Sequence, residues 1–226
     1  MTLKSNTLIS VLRALLPALM VHCIHCTISN PDTVAGGLET TNGITFSIAD
    51  GSISGVTAPN SRVILCDTAY VPPEISSQLY IDTVISDTGG LFTFSELPRG
   101  GYTLAAGNTD LTSGCLITPL MVDTGNSTRI IDSAVFVPLA ELPVQTRTDS
   151  TTAPSSIVFI KGTPFATHTG EAGTGFLTGI PSGIYKVEAY LNVLKDLVPV
   201  LYTATSEAVR VNDTSTILTL DLKRQQ

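Results

Sequence analysis

Apolar residues in this chain recur either at every second position or in short runs. In Tyr102–Ala106 and again in Tyr185–Ala189 the first, third and fifth residues are apolar, while Val63–Leu65 and Ile157–Ile160 are apolar runs bounded by turn residues. Alternation predicts half-buried strands, and short bounded runs predict strands covered on both faces. No stretch after the first 26 residues keeps a helical period, so the pattern predicts an all-β fold.

Two blocks of sequence occur twice, in the same order. Thr57–Cys66 matches Thr152–Lys161 with an offset of 95 residues, and Leu97–Ala106 matches Ile180–Ala189 with an offset of 83. Gap-free matches in a fixed order indicate an internal repeat. The offsets differ by 12, so the second repeat lacks about a dozen residues between its blocks.

The missing dozen residues correspond to a loop that only the first repeat carries. This loop, Tyr70–Tyr80, contains two adjacent prolines that stiffen it, and exposed loops commonly carry binding residues. We therefore predict it as the interaction surface, with Tyr70 and Tyr80 as its candidate contact residues. The repeat predicts two tandem small antiparallel β-sandwiches, over residues 43–142 and, shortened and diverged, over 143–226.

The N-terminus has the features of a targeting segment. Two basic residues come first: Lys4 lies near the start of the chain, and Arg13 directly precedes a short apolar run, residues 14–21. This run is too short to cross a membrane. Two alternatives remain: a cleaved secretory signal, or a lipoprotein signal of residues 1–25 whose lipid is carried by Cys26, with Cys23 as the alternative acceptor. Residues 26–42 then form a flexible tether.

Composition and charge exclude several classes of function. The chain has 12 basic and 19 acidic residues, a net charge of −7, and no basic cluster that would bind a nucleic acid. Removal of the leader takes away two basic residues and leaves a net charge of −9.

The histidines limit the possible chemistry. Removal of the leader also removes His22 and His25, so His168 is the one histidine of the remaining chain. One histidine cannot form a two-histidine zinc site, and no motif supplies a nucleophile for it. We predict neither an enzyme nor a cofactor nor a metal site.

Cysteines and aspartates leave two further choices open. Cys66 and Cys115 either form a disulfide, as oxidising compartments favour, or stay as two buried thiols. Aspartates 82, 87, 123 and 132 either bind calcium or cap turns. Because Asp123–Asn126 has no EF-hand spacing, turn capping is the prediction.

The first repeat resembles a known family. Its segment Gly90–Ala106 is similar to the signature strand pair of the carboxypeptidase regulatory-like domain, in which a Gly-x-Phe strand leads through Leu-Pro-x-Gly to a Tyr-x-Leu strand. The tether Gly36–Gly43 and the segment Gly162–Phe165 resemble bacterial lipoproteins that carry such domains. The resemblance implies a transthyretin-like sandwich without catalytic residues. The fold is shared with carbohydrate-binding domains, which keeps polysaccharide binding as the alternative.

These observations lead to one expectation about function. The chain is expected to be an exported, non-enzymatic lipoprotein of the cell envelope, held by its lipid at the outer membrane and facing the periplasm or the cell surface. Its role is structural, positioning or interactive, and its partner is an unidentified envelope protein or a polysaccharide.

Overall fold

The computed structural model describes residues 43–76, 81–123, 130–195, 197–212 and 216–225. The predicted leader 1–25, its Cys23 and Cys26, the tether 26–42 and Tyr80 lie outside these residues. Every element within the described residues is a strand, so the all-β prediction is confirmed. None of them forms a helix long and apolar enough to cross a membrane.

Eight strands precede residue 136: β1 (Gly43–Ala49), β2 (Ser52–Val56), β3 (Arg62–Asp67), β4 (Ile81–Ile85), β5 (Leu91–Phe94), β6 (Gly100–Gly107), β7 (Ser113–Val122) and β8 (Ile130–Val135). Ten follow: β9 (Val137–Thr148), β10 (Thr151–Thr152), β11 (Ile157–Phe159), β12 (Ala166–His168), β13 (Thr174–Pro181), β14 (Gly183–Tyr185), β15 (Glu188–Lys195), β16 (Val198–Thr205), β17 (Val209–Val211) and β18 (Leu218–Arg224).

Two hydrophobic cores organise these strands. The first core lies between the four-stranded sheet β5-β2-β1-β8 and strands β3, β6 and β7 of a long sheet, and its members run from Ile44 to Phe136. The second core takes its members from Ala140 to Leu222, on β9, β11, β13, β15, β17 and β18. Alternating apolar residues fill both, as in Ile44, Phe46 and Ile48 of β1, because successive side chains of a strand point to opposite faces.

Strand β9 joins the sheets of the two cores. Its first residues, Val137 and Pro138, pair with β7 of the first repeat, and its later residues pair with β13 and β18 of the second. The long sheet therefore runs without a break from β4 to β12. The boundary predicted between residues 142 and 143 falls inside this strand, and Ala140 and Leu142 already belong to the second core.

The repeated sequence gives the same strand pairing twice. In the first repeat β3 lies between β4 and β6, and in the second β11 lies between β12 and β15. The registers agree under the offsets of 95 and 83. The equivalent pairs are Arg62↔Ile85 and Ile157↔His168, Val63↔Val84 and Val158↔Thr167, and Val63↔Ala106 and Val158↔Ala189.

The shared register also locates the difference in length. Arg62 and its partner Ile85 are 23 residues apart, whereas Ile157 and His168 are 11 apart. All 12 extra residues of the first repeat therefore lie between β3 and β4, in the loop that the sequence predicts.

Candidate functional site

The first repeat's long loop packs against the second repeat. The N–H of Gly162 donates to the carbonyl of Tyr70 at 2.8 Å, and Tyr70 is 9 % exposed. Gly162 has a φ of +74°, and a Cβ there would lie 2.7 Å from the carbonyl oxygen of Thr68. Tyr70 is thus part of an internal contact, and its expected role as an exposed contact residue is wrong, although Pro73 and Glu74 of the same loop are exposed. The sequence could not show this, because the surface that covers Tyr70 is about 90 residues away along the chain.

His168 also belongs to this contact. Its Nε2 lies 3.8 Å from the Glu74 carboxylate, and the side chains are 59 % and 52 % exposed. An exposed pair at this distance contributes little to stability. The imidazole, at the end of β12, therefore lies beside a surface carboxylate.

A second contact joins the repeats around the start of β9. The N–H of Leu139 donates to the carbonyl of Thr112 at 3.0 Å. Ser182, at the end of β13, donates through both its N–H, at 3.0 Å, and its hydroxyl, at 2.9 Å, to the carbonyl of Pro138. These bonds hold the turn after β6 against the end of the second core.

Between the two contacts lies a cleft of about 340 Å³, named here the inter-core groove. Its apolar lining comes from both repeats, and Arg62 is its charged residue. The lining residues are Arg62, Ile64, Ala105, Ala106, Gly107, Leu111, Cys115, Leu139, Pro164, Phe165, Ala166, Thr178, Gly179 and Pro181. The volume falls within the range of about 300–1,000 Å³ typical of ligand pockets.

Leu111 borders the groove in an uncommon backbone conformation. It has a φ of 53° and is 63 % exposed. Asn108 holds its turn, because the side-chain oxygen accepts the N–H groups of Thr112 at 2.9 Å and Ser113 at 3.0 Å. A left-handed leucine is sterically unfavourable, so the turn keeps an apolar side chain at the groove at some cost to the backbone.

Cys66 and Cys115 are both buried free thiols, so the expected disulfide is not formed. Cys66 lies opposite Thr103 on one side of β6, and Cys115 lies opposite Ala106 on the other. The two cysteines are therefore separated by two inter-strand distances, about 10 Å in all, and they are also displaced from each other along the strands. This separation is too large for a disulfide. Burial raises the pKa of each thiol to about 12. The alternative of two separate thiols is the one that the structure shows.

Tyr102 and Tyr185 are equivalent structural residues. The Tyr102 hydroxyl donates to the carbonyl of Pro98 at 2.8 Å, and the Tyr185 hydroxyl donates to that of Pro181 at 2.6 Å. Burial raises the pKa of Tyr185 to about 12 and also raises that of Tyr102. Both phenols therefore stay neutral and hold the turn that precedes their own strand.

Three of the four aspartates accept hydrogen bonds from backbone N–H groups. Asp87 accepts the N–H groups of Gly89 and Leu91, both at 2.8 Å, and Asp82 and Asp132 each accept the N–H of the following residue at 2.7 Å. Asp123 lies 3.5 Å from Arg99. Asp87 therefore caps its turn, whereas Asp82 and Asp132 lie within strands β4 and β8, so turn capping is wrong for these two. The contact of Asp123 is an ion pair. Among the described residues, no three His, Cys, Asp or Glu side chains are grouped as a metal site requires.

The described residues at the end of the β15–β16 hairpin, named here the hairpin tip (193–195 and 197–199), include several exposed aliphatic side chains beside Lys195. Leu197 has a φ of 65° and is 92 % exposed, and the neighbouring side chains of Leu194 and Val198 are 74 % and 59 % exposed. The sequence analysis did not identify this tip. The sequence feature that could have indicated it is a pair of aliphatic segments, ending at Leu194 and beginning at Leu197, with no Gly or Asn between them.

Aromatic side chains are mostly covered. Phe176, 58 % exposed, is the one aromatic residue more than a third exposed within the described ranges. A sugar-stacking surface commonly needs an exposed aromatic pair, and the described residues present none.

Comparisons with known proteins show distant structural likeness. No protein-family model and no curated protein matches the sequence, so the resemblance to the carboxypeptidase regulatory-like domain rests on its motifs. Three solved structures are similar: the minor pilin GBS52 of Streptococcus agalactiae (15 % identity, 76 % of this chain, 86 % of that one, TM-score 0.32), the Bacillus anthracis TIE protein (12 %, 82 %, 35 %, 0.27) and a mutant of the shaft pilin spaA of Lactobacillus rhamnosus GG (10 %, 72 %, 84 %, 0.26). All three TM-scores are below 0.5, a level that assigns neither fold nor function.

Proposed function

We propose that this chain is a non-enzymatic lipoprotein of the cell envelope, in which two tandem transthyretin-like sandwiches act as a positioning module. The lipid on Cys26, or alternatively on Cys23, holds the N-terminus at the outer membrane. The two repeats then display the far end of the second repeat to a partner.

The observation that carries this proposal is the fixed joint between the repeats. Strand β9 pairs with both repeats, and Gly162 and Ser182 add backbone bonds on either side of the groove. A joint of this kind is typical of a module that holds one surface at a set distance and direction from another. A hinge between independent domains would show a flexible linker instead.

The use of the reactive side chains also supports a structural role. Both thiols are buried with raised pKa values, His168 pairs with Glu74, and Tyr102 and Tyr185 bond backbone carbonyls. We favour a protein partner over a polysaccharide, because Phe176 is the one aromatic side chain more than a third exposed in the part of the chain that the structure describes.

Metabolic labelling with a fatty acid tests the anchor. We expect the full-length chain to incorporate the label and to sediment with membranes, Cys26→Ser to lose both properties, and Cys23→Ser to keep them. If Cys23→Ser alone loses the label, the acceptor is Cys23. Unlabelled protein in the soluble fraction would overturn the proposal.

A further inference from the structure

The two ends of the described chain leave the fold at opposite ends of strand β9. Gly43, the first described residue, pairs with Val135, which lies two residues before β9 begins. Leu222 pairs with Thr148, the last residue of β9, and the chain then continues to Gln225. Strand β9 has 12 residues and spans up to about 36 Å. Tension applied to the two ends of the chain therefore acts close to the axis of β9.

The last strand of the second repeat pairs with β9 in a parallel ladder. Five residues of β18, Leu218–Leu222, pair with Val144–Thr148 of β9. Tension enters β9 at its N-terminal end, through Phe136 in the first core, and leaves β18 at its C-terminal end. Because the strands are parallel, these forces pull them in opposite directions along their length. The hydrogen bonds of the ladder are then loaded together and must break together.

The same strand is held on its other side. Lys223 and Arg224 of β18 pair with Tyr202 and Thr203 of β16. The N–H of Gln225 also donates to the carbonyl of Leu201 at 2.9 Å. The C-terminal strand is therefore fixed by β16 at the point where tension leaves it.

The first strand of the first repeat is held in the opposite way. Strands β1 and β8 are antiparallel, and Gly43 lies opposite Val135 at one end of their six-pair ladder. Tension enters the first repeat at Gly43 and passes beyond Val135 into β9. The points of entry and exit are thus neighbours, so pulling them apart opens the ladder from one end. Its hydrogen-bonded pairs break one after another, which requires a lower force.

We propose that this chain carries tension between its two ends and that its repeats respond to the tension in sequence. The first repeat opens at low force, while the β9–β18 ladder keeps the second repeat folded. The chain from Gly43 to Val135, about 90 residues, then extends by up to about 300 Å. A surface on the second repeat stays folded during this extension. The inference deepens the proposed positioning role and rests on it only for the source of the tension.

Single-molecule pulling of the purified full chain tests this inference, because the same ladder can be loaded in two directions. One chain carries an azide-bearing residue in place of Ser150, in the exposed turn after β9, and is used throughout. In the first arrangement, handles are attached at the N-terminus and the C-terminus. In the second, they are attached at residue 150 and the C-terminus. Since Thr148 lies opposite Leu222, the second arrangement pulls β18 away from β9 at one end of their ladder.

The third arrangement, with handles at the N-terminus and residue 150, is the matched control. Its tension passes along β9 and leaves at the end of that strand, so the β9–β18 ladder is not loaded. The folded protein is the same in all three arrangements. Because forced unfolding is governed by the rate of unfolding, a difference in force reports the direction of loading and not the equilibrium stability.

We expect two steps when the chain is pulled by its ends. The step at lower force lengthens the chain by up to about 300 Å and recurs by itself in the control. The second step should need a several-fold higher force than the rupture between residue 150 and the C-terminus. Equal forces for these two ruptures overturn the inference, as does a single step or a low-force step that the control lacks. The purified protein carries the test, so its outcome does not depend on the lipid anchor.

Discussion

Ser86 and Thr169 form the same hydroxyl bridge in the two repeats, 83 residues apart. Ser86 Oγ donates to the carbonyl of Ala58 at 2.7 Å and accepts the N–H of Ser61 at 2.9 Å. Thr169 Oγ1 donates to the carbonyl of Ala153 at 3.2 Å and accepts the N–H of Ser156 at 3.0 Å. In both repeats a buried hydroxyl joins the turn before the central strand to the neighbouring strand.

Removing either hydroxyl should destabilise the protein. Ser86→Ala leaves a buried carbonyl and a buried N–H without this partner, and we expect a loss of about 1–3 kcal/mol in the free energy of unfolding measured in urea. Thr169→Val should cost less, because Thr146 Oγ1 and Ser156 Oγ still donate to the Ala153 carbonyl at 2.6 and 2.8 Å, and Thr169→Ser keeps the hydroxyl and most of the stability. Thr88→Ala is the exposed control, expected within about 0.5 kcal/mol of the parent. Equal stabilities for Ser86→Ala and Thr88→Ala would contradict the bridge.

Substitutions at two glycines should distinguish the cost of backbone strain from the cost of steric contact between the repeats. Gly162 and Gly179 have φ values of +74° and +69°, but a Cβ at Gly162 would meet the Thr68 carbonyl at 2.7 Å, whereas one at Gly179 meets nothing within 4 Å. Gly179→Ala should cost about 1–2 kcal/mol for the left-handed conformation alone. Gly162→Ala should cost more and should make the loop after β3 sensitive to limited proteolysis. If both variants lose the same stability and are cleaved at the same rate, the backbone at Thr68 moves aside for the new Cβ at little cost in free energy.

The two thiols should stay reduced and unreactive in the folded protein. Because Cys66 and Cys115 are buried free thiols with pKa values raised to about 12, iodoacetamide at neutral pH should modify neither until urea unfolds the chain. Peptide mass spectrometry of the protein after both treatments measures this. A peptide pair joined through these cysteines under non-reducing conditions would contradict the strand positions.

Stability should fall in alkali. Burial raises the pKa of Tyr185 from 10.0 to about 12 and that of each thiol from 9.0 to about 12. The folded protein holds these protons more tightly than the unfolded chain does, so stability is complete below about pH 9 and decreases as the pH rises towards 12. Tyr185→Phe should lessen the decrease between pH 10 and 12 in urea titrations. An unchanged slope would show that Tyr185 does not contribute.

Two aspartates lie on strands at the edges of the described sheets. On β4 and β8, Asp82 and Asp132 each accept the N–H of the next residue, and exposed edge strands are sites of unwanted strand pairing. Asp82→Val should therefore increase self-association in sedimentation velocity. Asp110→Val makes the same change of charge in an exposed loop and should not. If both variants self-associate equally, the increase comes from the lost negative charge and not from the position of Asp82 on an edge strand.

Sequence periodicity was sufficient for the all-β class, because alternation depends on residues close together in the chain. Matching the two repeated blocks was sufficient for the repeat and for the position of the extra loop. The partner of Tyr70 and the separation of Cys66 from Cys115 depend on long-range packing and on strand register. Neither can be derived from apolar spacing or from residue type. The hairpin tip was missed for another reason: Leu197 is a turn residue that local propensity argues against.

Strand β9 belongs to the sheets of both repeats, so the boundary between the repeated blocks does not separate two sheets. Strand β9 begins in the sheet of the first repeat and contributes Ala140 and Leu142 to the core of the second. A cut between residues 142 and 143 would leave the pairing of Val137 and Pro138 with β7 in the first half, but it would deprive the second half of the buried Ala140 and Leu142. The boundary between the repeated blocks and the boundary between the two cores therefore lie at different places in the chain.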